Sequence, residues 1–124
     1  MLVGASDVAS CLTEAEVQAV AAEALARADL AGKRVLVIIP DRTRTAPVPL
    51  LFRLFQELLG QRTAELDFLV ALGTHPLMDD PALSRLVGVS GFLLVANSGE
   101  CFMLLRLLSA STKSSVSRFS GWST

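Results

Sequence analysis

The chain has 124 residues, 52% of them apolar and 19% charged, a balance more oily than that of a typical domain and incompatible with global disorder. Eleven Lys and Arg against twelve Asp and Glu leave a net charge of −1 without a polybasic run, which argues against nucleic acid or an anionic membrane surface as the main partner. A length suited to one small domain buries only about two-thirds of its unfolded surface, so the apolar surplus points to a face meant for another domain or subunit.

The first element starts at Thr13, where Thr-Glu-Ala-Glu gives a hydroxyl N-cap with Glu16 three residues on, the capping-box pattern. Val17, Val20, Ala21, Ala24, Leu25 and Ala28 then form one apolar stripe at helical spacing, and Gly32 stops the helix near Ala31. Residues 33–39 are a short β-branched run that reads as a strand covered on both faces, ending at Pro40. The proline-rich stretch from Pro40 to Pro49 is a stiff polar loop.

A second helix is expected from Pro49 to about Gln61, with ridges of Leu50, Leu54, Leu58 and Leu51, Phe55, Leu59 and a stop at Gly60. Residues 66–72 read as a second buried strand, followed by the loop Gly73-Thr74-His75-Pro76-Leu77-Met78 and a short helix from Pro81 to Val87. This order with tight loops implies right-handed crossovers and an α/β fold, a small parallel sheet with helices packed on its faces. Beyond Gly88 the material changes: nine of the twelve serines and one of the twelve acidic residues lie in 90–124. Phe92–Ala96 is expected as a third strand, Cys101–Leu108 as a short helix, and residues 109–124, with Trp122, as a polar low-complexity end.

Cys11 and Cys101 have no zinc or redox spacing and suggest a reduced, cytoplasmic setting. The N-terminus lacks a basic region and carries Asp7 in its apolar part, unlike a signal peptide. No apolar run is long enough for a membrane helix. GxGxxG, Walker A, GxSxG and HExxH patterns are missing.

Ligands in a parallel α/β sheet bind beyond the carboxyl ends of the strands, and two polar loops lie there. Asp41 follows Ile39 by two residues, His75 follows Leu72 by three, and if the two strands are neighbours their tips are about 5 Å apart. Asp41, Arg42, Thr43 and Arg44 supply a carboxylate, two guanidinium forks and a hydroxyl, suited to holding a carboxylate or phosphate at the start of a helix. The plainer alternative has Asp41 capping a turn, with the arginines solvated or paired to Asp67, Asp79 or Asp80. His75, the one histidine, is a candidate general acid/base, or a structural residue. Met78, Cys101 and Met103 read as packing residues.

Val37-Ile38-Ile39-Pro40-Asp41-Arg42-Thr43-Arg44, followed about thirty residues later by Val70-Ala71-Leu72-Gly73-Thr74-His75-Pro76, resembles the N-terminal domain of the nickel-dependent lactate racemase family over residues 13–88. Arg42 stands where that family usually has histidine, Thr45 and Ala46 precede Pro47, and Pro76-Leu77 replace its common Arg-Pro. The resemblance implies a two-domain isomerase with a nickel pincer nucleotide in the cleft between domains, where a hydride leaves C2 of a 2-hydroxy acid and returns to either face. It implies His75 as one of two acid/base histidines, Arg44 on the substrate carboxylate, Asp41 orienting the site and Thr43 lining it. The second catalytic histidine, the cofactor-bearing lysine and the nickel-ligating histidine belong to later family sequence, and neither Lys33 nor Lys113 sits in a matching motif.

The expected organisation is therefore a racemase-like α/β domain over 1–88, incomplete by itself, and a divergent or frame-shifted serine-rich tail over 89–124. Its expected partners are a small 2-hydroxy acid and a missing C-terminal domain or partner subunit, with neither nucleic acid nor membrane. The alternative is a non-catalytic α/β module that binds a carboxylate or phosphate.

Overall fold

The computed structural model describes residues 3–4, 10–90, 92–95 and 102–107. Helix α1 spans Glu14–Arg27 and begins in the expected capping box: the Glu16 amide donates to the Thr13 hydroxyl at 3.3 Å, and the Thr13 amide donates to the Glu16 carboxylate at 2.7 Å. It ends at Arg27, earlier than Ala31, and none of its residues is buried. Its alanine-rich stripe offers little area to bury, so its attachment rests on a few contacts with the second helix, including the Arg53–Glu14 ion pair.

Strand β1 (Arg34–Pro40), helix α2 (Val48–Leu59) and strand β2 (Glu65–Ala71) follow, with β1 and β2 parallel and Pro40 facing Ala71. Helix α3 covers Asp80–Val87; the Asp79 carboxylate caps it by accepting from the Ala82 amide at 2.8 Å. Gly88 ends it at φ +75°, where a side chain would be strained and a Cβ would sit 2.9 Å from that of Pro49. The glycine thus lets the end of α3 close on the start of α2.

Strand β3 (Phe92–Val95) forms where expected, but Phe102–Leu107 is strand β4 and not a helix. The sheet order is β1-β2-β4-β3, with β4 antiparallel to both neighbours. The sheet is therefore mixed around one parallel pair, and its class remains α/β. A six-residue apolar run carries no decisive period; here the ladder on both sides of β4 sets its conformation. Cys101, Trp122 and the expected polar end at 109–124 lie outside the described residues.

One face of the sheet holds the core. Val37 and Ile39 of β1, Phe68 and Val70 of β2, and Met103 and Leu105 of β4 pack with Val48 and Phe52 of α2 and Leu83, Leu86 and Val87 of α3. The Phe52 and Phe68 rings lie 4.3 Å apart between centroids. The expectation that β1 is covered on both faces does not hold: Leu36 and Ile38, at alternate positions, are 52% and 68% exposed. A β-branched run has no alternation to reveal a half-covered strand, and β1 lies at the sheet edge, where the second face lacks a helix among the described residues.

Candidate functional site

Parallel pairing puts the carboxyl ends of β1 and β2 side by side, so Asp41 and Leu72 leave adjacent strand tips. Gly73, at φ +61°, turns the chain after β2, and the His75 amide closes that turn on the Leu72 carbonyl at 3.0 Å. The imidazole thereby meets Asp41 across 34 residues of sequence, with Nδ1 2.5 Å from Oδ2. The Asp41 side chain is 7% exposed and that of His75 51%, so a covered carboxylate holds an imidazole that faces the cleft.

The other carboxylate oxygen folds the loop on itself. Asp41 Oδ1 accepts from the Thr43 hydroxyl at 2.6 Å and from the Thr43 amide at 3.1 Å, the turn chemistry that Asp favours. The Thr43 hydroxyl is the main reason that Asp41 titrates below the usual carboxylate range; burial acts in the opposite direction, while the Thr43 amide and His75 add to the lowering. An ionised Asp41 can only accept, so His75 Nδ1 carries the shared hydrogen and Nε2 is left with the lone pair of the neutral ring. The arrangement suits a proton acceptor whose tautomer and orientation are fixed from behind.

Thr43→Val tests this cause. A depressed carboxyl stabilises the fold above its unfolded value near about pH 3.9, and that contribution disappears as pH falls through the lower folded value. Without the hydroxyl, Asp41 should titrate closer to the ordinary range, so acid should weaken Thr43→Val at a higher pH than the native chain. A carboxyl NMR titration of Asp41 with urea melts across the acid range measures both; superimposable profiles would remove Thr43 as the cause.

The structure thus joins Asp41, Thr43 and His75 in one hydrogen-bonded group. A cleft of about 280 Å³ opens over them, walled also by Arg42, Met78 and Arg85. Arg44 lines the adjoining cleft, toward the start of α2. Asp41 both braces the turn through Thr43 and meets His75 Nδ1. Of the carboxylates that might have paired with the loop arginines, Asp67 is engaged with Arg106 and Asp79 with the α3 cap, and Asp80 makes no ion pair with either arginine among the described residues. Arg85, on the wall of both clefts, has no sequence signal, being one exposed arginine in the last turn of a short helix.

These features define a small α/β domain that presents a carboxylate-backed imidazole and a basic loop at the carboxyl ends of two parallel strands. The chain belongs to the lactate racemase N-terminal domain family, whose sequence model matches residues 3–97. Comparison with curated proteins and with solved structures gave no match. No helix among the described residues is long and apolar enough to cross a membrane.

Proposed function

We propose that this chain is the N-terminal part of a lactate racemase-like isomerase, cytoplasmic, in which His75 moves the hydroxyl proton of a small 2-hydroxy acid. The contact between Asp41 and His75 carries the reading. In neutral His75, Nε2 takes the hydroxyl proton while Nδ1–H stays on Asp41, which stabilises the imidazolium so formed and needs no proton of its own. Return of that proton to the same oxygen closes the cycle. Thr43 keeps Asp41 in place, and Arg44 reaches from the adjoining cleft for the substrate carboxylate by a two-pronged contact.

The family resemblance also implies a nickel pincer nucleotide, and the described residues do not fit a self-contained site for it. No group of three or more His, Cys, Asp or Glu side chains converges among them. The single histidine has Nδ1 engaged with Asp41, and Lys33 pairs with Asp29 at the opposite end of β1. The described side chains account for the proton and the carboxylate only, so turnover in this reading depends on a second domain or partner subunit.

Racemisation of a 2-hydroxy acid, assayed for the chain alone and with a loaded lactate racemase C-terminal domain added, tests the reading. The expected result is activity only in the mixture, reduced at least about a hundredfold by His75→Ala with the circular dichroism unchanged. Undiminished turnover in His75→Ala would remove the histidine from the reaction. A chain that binds 2-hydroxy acids through Arg44 without turnover in either arrangement would be the non-catalytic carboxylate-binding module.

A further inference from the structure

We propose that Met103 is a positioning residue for His75: its thioether holds the far end of the loop at 73–78 by accepting a hydrogen bond from the Met78 amide, 3.3 Å from Sδ. The proposal rests on the reading of His75 as the group that moves the proton. It adds a residue from β4, a strand outside the parallel pair that carries the site. In the sequence both methionines read as packing residues.

The loop needs such a hold because burial supplies little. Residues 73–77 are all exposed, whereas Leu72 before them is buried and Met78 after them packs against the core. The place of the imidazole is therefore set by the two ends of the loop and by Asp41. At the first end the His75 amide donates to the Leu72 carbonyl. Pro76, next in the chain, has no N–H to give. At the second end the Met78 amide has Met103 as its acceptor among the described residues. Met78 lies three residues after His75, so a slack second end lets the imidazole swing away from a carboxylate that cannot follow, since Thr43 holds Asp41 in its own turn.

Sheet register puts Met103 within reach. It pairs with Val70 of β2, two residues before Leu72, and is buried, so its side chain departs from beside the strand end where the loop begins. An unbranched side chain with a polarizable sulfur can span from there to the Met78 amide. Leucine fills nearly the same core volume but accepts nothing, and a partly covered amide left without an acceptor costs more than a weak hydrogen bond returns. Met103 is not among the residues that line the cleft over His75, so it acts through the loop and not on the substrate.

Met103→Leu in the full chain tests the clamp, read by amide hydrogen exchange and by nitrogen NMR of the imidazole. Loss of the acceptor should speed exchange of the Met78 amide about threefold to tenfold, the range for one hydrogen bond of modest strength. It should also raise the fraction of His75 that carries its hydrogen on Nε2, the signature of a ring that has left Asp41. Leu59→Val, a buried position at the far end of α2, should lower the urea midpoint yet leave both signals within about twofold. Norleucine in place of methionine removes only the sulfur and repeats the test should Met103→Leu lower the melting temperature. With a loaded lactate racemase C-terminal domain added, Met103→Leu should lower kcat about threefold to tenfold and keep KM within about twofold, because the Arg44 contact is untouched. Failure of the native chain to racemise in that mixture would sink the proton-transfer reading, and the two NMR signals would still decide the clamp. Unchanged Met78 exchange, faster exchange with an unchanged imidazole tautomer, equal changes in Leu59→Val, or an unchanged kcat where the native chain turns over would overturn the proposal.

Discussion

Phe68→Ala is expected to cost about 3–5 kcal/mol of stability, the range for emptying an aromatic site in a packed core. Phe68 is fully buried at the centre of the sheet, opposite Val37 of β1 and Leu105 of β4, and its ring meets Phe52 of α2. Four elements therefore lose a contact together. The cavity cannot collapse easily, because β2 is hydrogen-bonded on both sides and cannot move toward α2 alone. Against a total stability of about 5–15 kcal/mol, the loss should shift the urea midpoint downward by about 1.5–3 M. Ile38→Ala, on the opposite face and 68% exposed, should change it by less than about a quarter of that. Equal shifts for the two variants would mean that the wrong face of the sheet has been taken as the core.

The same pair of residues shows what the sequence could disclose. Phe68 and Ile38 sit in strands with nearly continuous apolar composition, and such runs announce a strand without announcing which side is covered. Local signals did better: the Thr13–Glu16 box and the Gly60 stop both appear where they are expected. Asp41 and His75 were legible as neighbours because one crossover between two parallel strands puts both on the same sheet edge. Their hydrogen bond follows from the turn at Gly73, again a local feature. Features made by distant elements were not legible. The strand state of Phe102–Leu107 depends on insertion between β2 and β3, and the place of Arg85 depends on how α3 meets the loop after β1.

Asp67 and Arg106 are the strongest example of such hidden pairing, and they carry the second large stability effect. They face each other across β2 and β4, with Nε 2.5 Å from Oδ1 and Nη2 2.7 Å from Oδ2, in residues only 7% and 8% exposed. The hydrogen bonds to Asp67 raise the guanidinium above its ordinary value against the opposing effect of burial, and the charges of Asp67 and Glu65 add to the rise. It is therefore cationic at every pH the fold survives. Removing either partner strands a covered charge, but the two losses should differ. Asp67→Leu leaves Arg106 with Glu65, whose carboxylate is already 3.6 Å away, and should cost about 2–3 kcal/mol. Arg106→Met leaves Asp67 with no other described cation in reach and should cost about 3–5 kcal/mol. The double variant Asp67→Leu/Arg106→Met needs no desolvated charge at all, so it should return to within about 1 kcal/mol of the native chain. Urea melts of the four proteins complete the cycle. If the double variant is as unstable as the sum of the singles, the pair contributes through shape and not through charge compensation, and the reason given for its burial is wrong.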